Sequence, residues 1–336
     1  LSTALKCGLN RGYSIGLKLN ESLEFMMDSN QLTAFFQHLE QQLEPELFEI
    51  RRLFHGRGRC WPGLEQLTAD WLAQQLVVSL FKAPDEHFMH LLRQGLLELT
   101  RQADWQQCSG KSIVLQHRYA QGAPAEVLWG TLNPHPVAIE DGLKYQLDIG
   151  RNQNCGLFLD MRYGRRWVKE QAAGKKVLNL FAYTCGFSVA AIAGGADQVV
   201  NLDMAKSSLA KGRDNHLLNQ HDVSRVHFLA HDLLKSWGKI KKYGPYDLIV
   251  IDPPTFQKGS FALTKDYRKI LRRLKDWLAE EGQVLACVNA PMVPSDFLIQ
   301  SMREEAPTLT LSHRLENPPE FADVDPESGL KALVFH

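Results

Sequence analysis

Tyr246-Asp247-Leu248-Ile249-Val250-Ile251-Asp252-Pro253-Pro254-Thr255-Phe256 is the stretch that decides the fold. Residues 248–251 form an uninterrupted aliphatic run too short for a helix, which predicts an interior strand of a parallel sheet covered on both faces. A ligand is then expected beyond its carboxyl end. Pro253 and Pro254 stop the ladder and leave carbonyls with no N–H of their own, Asp252 offers acceptor oxygens, and Phe256 offers a stacking face. Such a corner suits a flat nitrogenous ring bearing an amino group. A strand followed by a proline-rich turn and a core Phe is the plainer alternative.

Working outward, strands and helices alternate from Gly174 onward. Strands are predicted at 176–181, 199–203, 226–230, 246–251 and 283–289, with helices from 187, through 218, over 264–279 and after 291. Two strands near 309–315 and 330–335 close the chain without a helix between them. The fold class is therefore α/β, a doubly wound sheet ending in an antiparallel hairpin. Nicotinamide-binding sheets usually finish on a further parallel strand, which argues against an oxidoreductase.

The preceding part is α+β. Helical spacing of Leu32, Phe35, Phe36, Leu39 and Leu43 predicts a helix over 31–43, capped by Ser29 or Asn30 and ended by Pro45. Residues 64–81 read as two strands with Thr68-Ala69-Asp70 as the turn, 88–99 as a helix, and 113–117, 125–129, 137–140 and 144–149 as short strands. At 336 residues the chain suits two domains, divided as 1–150 and 151–336. Residues 1–25 read as irregular, vector-derived or set before the true start, and carry no functional weight.

Formal net charge is zero, which excludes a uniformly basic nucleic-acid clamp and leaves room for local patches. Six cysteines are scattered without CxxC pairs or Cys/His clusters at zinc spacing, so neither a disulfide framework nor a metal is expected. No stretch approaches a membrane span and no leader pattern is visible, so a cytoplasmic protein is expected. Oligomeric state is not legible.

Four strand ends carry the chemistry. The first runs into Asn179-Leu180-Phe181-Ala182-Tyr183-Thr184-Cys185-Gly186 and a helix of small residues, a turn able to hold an anionic group on free N–H donors. A single glycine, Gly186, stands where a GxGxxG would place three. Asp203, followed by Met204, suits the two hydroxyls of a ribose, or alternatively caps the next helix. Asp232 suits an adenine amino group or is a plain loop acid. Asp252 is the fourth.

Asn179-Leu-Phe-Ala-Tyr-Thr184, Asp203, Asp252-Pro-Pro-Thr-Phe256 and the upstream Gly156-Leu-Phe-Leu-Asp-Met-Arg162 together resemble the class I S-adenosylmethionine-dependent methyltransferases that modify large-subunit ribosomal RNA. The resemblance covers about 135–336 and is specific, because separate motifs occur in order. Arg52-Leu-Phe-His-Gly-Arg-Gly-Arg-Cys-Trp-Pro-Gly63 extends it to that family's central α+β domain. It implies a Rossmann-like catalytic domain and S-adenosylmethionine as cofactor. Phe181, Tyr183 and Gly186 are implied around the methionine, Asp203 at the ribose, and Asp232 at the adenine, with Asn179 and Met204 also expected among the cofactor-binding residues. Phe158, Asp160 and Arg162 would close over the cofactor from the domain junction, and Asp252 and Pro253 would face the base. Asp160 and Arg162 as an ordinary ion pair are the alternative there.

Two departures shape the expected chemistry. The small RNA-binding (PUA-like) module of the cytosine-5 relatives has no counterpart before Arg51. Cys287, in Cys287-Val-Asn289-Ala-Pro291, falls inside an apolar strand about two positions before the place of their nucleophile and reads as a buried hydrophobe. Asn289 stands where a guanine-N7 relative also has Asn. Transfer to a ring or exocyclic nitrogen of a ribosomal RNA base is therefore expected, with Asp252, Pro253 and Phe256 at the acceptor. A methyltransferase for a small molecule or protein, and a non-catalytic cofactor-binding protein, are the competing readings.

Basic character is local. Lys265, Arg268, Lys269, Arg272, Arg273 and Lys275 lie on one helix, either tracking a phosphate backbone or as a solvated face. Arg51, Arg52, Arg57 and Arg59, interleaved with His55 and Trp61, suit phosphate contact with stacking, or a structural turn. Residues 317–323 could lid the base pocket or merely connect the last strands.

Overall fold

A computed structural model of the chain describes residues 31–150, 154–257 and 260–336; the expectations for 1–25 and for a cap at Ser29 or Asn30 lie outside these. The first part opens with a helix over 31–42 (α1), followed by β1 Arg51–His55, β2 Leu67–Trp71, β3 Gln75–Leu80, α2 Glu86–Leu99, α3 Ala103–Gln107, β4 Ser112–His117 and β5 Ala125–Gly130. The strands pair in chain order. Only β3 and β4 run parallel, because α2 carries the chain across between them.

Leu32, Phe35 and Leu39 bury the helical stripe of α1 on this sheet, Phe35 edge-on to Phe54 at 4.8 Å between ring centres. Asp85 caps α2 by accepting from the Phe88 N–H. The predicted turn at 68–70 is corrected. Thr68 and Asp70 are in the ladder, where Asp70 sits opposite Arg52 and binds it, and the chain reverses at Ala73 and Gln74, both left-handed. A polar triplet imitated turn chemistry because its partner was eighteen residues away.

A hairpin, β6 Val137–Glu140 and β7 Leu143–Gln146, turns at Asp141-Gly142 with both residues at positive φ. It joins the two parts, since Ile50 donates to the Ile139 carbonyl on one side and Asn215 accepts from the Gln146 N–H on the other.

The second part continues with α4 Arg162–Gln171, β8 Lys176–Leu180, α5 Gly186–Ala193, β9 Gln198–Asp203, α6 Lys206–Leu218, β10 Val226–Ala230, α7 Trp237–Lys241 and β11 Tyr246–Ile251. A two-residue hairpin, β12 Phe256–Gln257 with β13 Phe261–Ala262, precedes α8 Leu263–Leu271, α9 Leu274–Trp277, β14 Leu278–Val288, α10 Ser295–Glu305, β15 Leu311–Leu315 and β16 Lys331–Phe335. The sheet order is β10-β9-β8-β11-β14-β16-β15. The terminal hairpin is antiparallel as expected, and β16 inserts between β14 and β15.

In β11, Leu248 and Val250 join the core on one face while Ile249 and Ile251 join the core on the other. Burial on both faces is why the run shows no polar alternation. The single helix predicted over 264–279 is corrected to α8 and α9 with a strand from Leu278. Trp277 is buried against Trp237, and Leu278 pairs with Tyr246, so the backbone extends where the helical pattern continues.

Between the sheet and its helices runs a buried hydrogen-bonded chain: Asn179 to Asn201, Asn201 to Ser188, Ser188 to His216 at 2.9 Å, and His216 to His221 at 3.0 Å. Burial, and then the neighbouring His221, push the His216 imidazole down to about 3. Folding therefore favours its neutral form. The stability this confers is present above the unfolded value of 6.5 and is lost as pH falls toward 3. Denaturant titrations at a series of pH values should show a loss approaching about 1.4 kcal/mol per pH unit across that window. His216→Gln should flatten it; an unchanged slope would exclude His216 as the source.

Candidate functional site

The carboxyl ends of β8, β9, β11 and β14 open onto one cavity of about 490 Å³. Its back wall is the turn after β8. Phe181, Tyr183 and Cys185 there are all left-handed, at φ 57°, 46° and 62°. Non-glycine residues hold such angles only when surroundings over-determine them. Here Tyr183 N–H donates to Asp203, Thr184 Oγ1 donates to the Gly156 carbonyl, and Asn215 donates to the Thr184 carbonyl. This explains how a turn with one glycine replaces a glycine-rich one. At Gly186, a Cβ would stand 3.1 Å from Leu157 and 3.4 Å from Arg165, so the bare backbone lets this wall approach α5.

Asp203 holds the turn and the start of α6 together, accepting from Tyr183 N–H at 2.9 Å and Ala205 N–H at 2.8 Å. The N-cap position itself is Ala205. Asp203 lines both the main cavity and a small side pocket that also contains Met204 and Asp232. Asp232 accepts from Leu234 N–H and pairs with Lys235 at 3.2 Å.

The front wall holds Phe158, Asp160, Asp252 and Pro253. Phe158 is exposed and tilts against Tyr183 at 5.5 Å. Asp160 accepts from Asn289 Nδ2 at 2.8 Å. Burial lifts its carboxyl above the ordinary range, opposed by the charges of Arg52 and Arg165. Asp252 is pushed up to about 7, first by burial and then by the like charge of Asp160, with Arg165 opposing. Among the described residues no donor meets the Asp252 carboxylate, whereas Asp160, Asp203 and Asp232 each accept a protein hydrogen bond.

Phe158, Asp160, Phe181, Tyr183, Gly186, Asp203, Asp252 and Pro253 thus share one cavity, and Met204 and Asp232 its side pocket. Three expected residues do not. Asn179 is buried within the sheet, donating to Asn201. Arg162 turns away to Asp141 at 2.7 Å and to Glu49, which also replaces the alternative Asp160–Arg162 pair. Phe256 is 67% exposed on β12, because alternation along the strand puts Thr255 and Gln257 inward and Phe256 outward.

Sequence reasoning missed Arg165, whose guanidinium is buried beside the cavity and held bidentately by Glu140 at 2.6 and 2.7 Å. Thr184, Met161, Phe187 and Ser208 also line the cavity unforeseen. The spacing of Arg165 with Trp167 and Val168 on α4 was the one available signal. Cys287 is fully buried in β14 with its thiol pushed well up by burial, and no cysteine lines the cavity among the described residues.

The basic helix is largely neutralised by its surroundings: Arg268 pairs with Glu304, Arg272 with Glu305, Lys269 with Asp266 and Arg273 with Asp276. Residues 317–323 do not cover the cavity. Val324 donates to the Gly58 carbonyl, Arg59 pairs with Asp323, and Arg52 lies 4.7 Å over the Phe321 ring, so this segment straps the last strands to β1. No group of three or more His, Cys, Asp or Glu suited to a metal occurs among the described residues, and no helix there is long and apolar enough to cross a membrane.

Residues 51–336 match the S-adenosylmethionine-dependent methyltransferase family. Ribosomal RNA large subunit methyltransferase I of Aeromonas salmonicida (strain A449) is 32% identical over 251 residues, 73% of this chain and 62% of that protein. The chain therefore spans less than two thirds of that relative's length. A candidate ribosomal RNA large subunit methyltransferase of Bacillus subtilis (strain 168), YwbD, is 27% identical over 96% of this chain and 83% of its own. A crystal structure of a chain described as a methyltransferase, complexed with SAH, superposes with a TM-score of 0.74 at 26% identity, covering 98% of this chain and 83% of that one.

Proposed function

The chain belongs to the S-adenosylmethionine-dependent methyltransferase family, and from that premise we propose that it methylates a ring or exocyclic nitrogen of a base in ribosomal RNA. In this reading the catalytic domain lies within residues 151–336 and a substrate-side domain within the described part of 1–150, residues 31–150, acting in the cytoplasm where ribosomes assemble. The Asp252 carboxylate, which meets no donor among the described residues and borders the cavity beside Pro253, carries this reading, because an amino or ring N–H would supply that donor. The names of the curated relatives support ribosomal RNA as the substrate.

The cavity fits the cofactor. Asp203 retains acceptor capacity toward a ribose, and the Tyr183–Gly186 turn beside Asp160 suits the amino acid end; the side pocket at Phe181, Met204 and Asp232 holds about 20 Å³, so an adenine would reach Asp232 only with that pocket widened. When bound, S-adenosylmethionine supplies an electrophilic methyl group on a sulfonium. Asp252 and the Pro253 carbonyl orient the acceptor so that its lone pair points at that carbon. Asp252 would take up the proton that an exocyclic amine loses on methylation, the cofactor leaving as its demethylated thioether; a ring nitrogen with a free lone pair would need orientation only. With no thiol on the cavity wall among the described residues, carbon methylation through a cysteine adduct is the less supported chemistry.

Mass-spectrometric comparison of methylated nucleosides in ribosomal RNA from strains with and without this gene should reveal one N-methylated base that disappears. Purified protein should restore it on RNA from the deletion strain. Unchanged nucleosides together with transfer to a small molecule or protein would replace the RNA reading; cofactor binding with no transfer to any of these would replace catalysis itself.

A further inference from the structure

Arg57, from the loop after β1, and Arg118, from the loop after β4, approach the same aromatic ring. Their guanidinium carbons lie 4.2 and 4.9 Å from the centre of Phe81. Neither has a carboxylate within ion-pair distance or a side-chain hydrogen-bond acceptor among the described residues. Their neighbours differ: Arg52 is held by Asp70, Arg59 by Asp323 and Arg93 by Glu126. Of the four arginines singled out in the Arg52–Gly63 region, the fold thus neutralises two, leaves Arg51 at 3.9 Å from Glu44, and adds to Arg57 a partner that lies sixty-one residues further on.

We propose that Arg57 and Arg118 form a phosphate-binding pair for the backbone of the RNA whose base enters the cavity. The proposal rests on the nucleic-acid reading of the acceptor corner. Two guanidinium groups that share one ring, at 4.2 and 4.9 Å from its centre, carry like charge without a carboxylate partner among the described residues, and a phosphodiester contacted by both would offset that charge while matching their planar donor geometry. Burial lowers the basicity of both groups, and like charge, of Arg52 on Arg57 and of Arg57 on Arg118, lowers it further, with Asp70 opposing at Arg118. Placement also fits. The charge of Arg52 reaches Arg57 and Arg118 and reaches Asp160 in the cavity wall, and that of Arg118 reaches Cys155, which lies between the cavity residues Asn154 and Gly156. A strand presenting a base to Asp252 would run its phosphates past this pair.

Salt titration of binding to deproteinised large-subunit ribosomal RNA, measured by filter retention of the full chain, tests the pair. Arg57→Gln/Arg118→Gln should reduce the slope of log affinity against log salt by about 1 to 2 and weaken binding roughly tenfold, as loss of one or two phosphate contacts does. Arg57→Lys/Arg118→Lys should keep the slope. Arg101→Gln, which removes an exposed charge paired with Glu98, should also keep it. Calorimetric affinity for S-adenosylmethionine should be unchanged, and the thermal midpoint should fall by no more than a few degrees, since only the two contacts with the Phe81 ring are lost and no ion pair is broken. A wild-type slope in the double glutamine variant overturns the phosphate pair and leaves the catalytic reading standing. Wild-type protein that retains no RNA at any salt overturns both.

Discussion

Asp252→Asn should lose at least a hundredfold in kcat on ribosomal RNA while its calorimetric affinity for S-adenosylmethionine stays within a few-fold of wild type. The residue borders the cavity with no donor on its carboxylate among the described residues, so the cofactor wall does not depend on it. With the carboxyl lifted to about 7, kcat/KM for an amino acceptor should rise through neutral pH as Asp252 ionises. Asp160→Asn removes the like charge that contributes to the lift, so the midpoint of that rise should move to lower pH. Retained activity in Asp252→Asn, or a pH profile unmoved by Asp160→Asn, would remove the acid from the reaction.

The same substitution should stabilise the ligand-free protein. Because the folded value lies above the ordinary 3.8, the ionised carboxylate is disfavoured in the fold, and stability is lost as pH rises from 3.8 through 7. Asn carries no such loss. A gain of about 1 to 2 kcal/mol at pH 8 is expected once water in the open cavity is allowed for.

Arg165→Met should unfold the protein far more readily, by about 3 to 5 kcal/mol in denaturant titration, because it leaves Glu140 as an unpaired buried carboxylate. Glu140 is 2% exposed and Arg165 4%, and the two make a bidentate pair between the β6–β7 hairpin and α4. Adding Glu140→Gln should recover most of the loss, since the desolvated charge then disappears with its partner. A double variant as unstable as the single would mean that Arg165 acts through packing beside Gly186 and the cavity.

The chain of strand ends was legible because each is local. An apolar run buried on both faces, followed by a polar group, can be read without knowing its neighbours, and Asp203, Asp232 and Asp252 all lie on the cavity or its side pocket. Errors arose where a residue's direction depends on something distant. Arg162 and Asp160 are two residues apart, but the hairpin supplies Asp141 to one and the turn after β14 supplies Asn289 to the other. Phe256 reads as a stacking face in the pentapeptide, yet pairing of Phe256 with Ala262 sets the alternation that turns it outward.

By itself the sequence determined the doubly wound sheet, its terminal hairpin and the row of acids along one edge, since hydrophobic period and strand-end chemistry act over a few residues. Only the tertiary structure decided which charges remain available. The basic helix meets the acids of α10, Arg52 and Arg59 meet Asp70 and Asp323, and Arg57 and Arg118 are left against the Phe81 ring with no acid partner among the described residues. Whether a charge is neutralised depends on the few ångströms around it, and packing fills that space from remote parts of the chain.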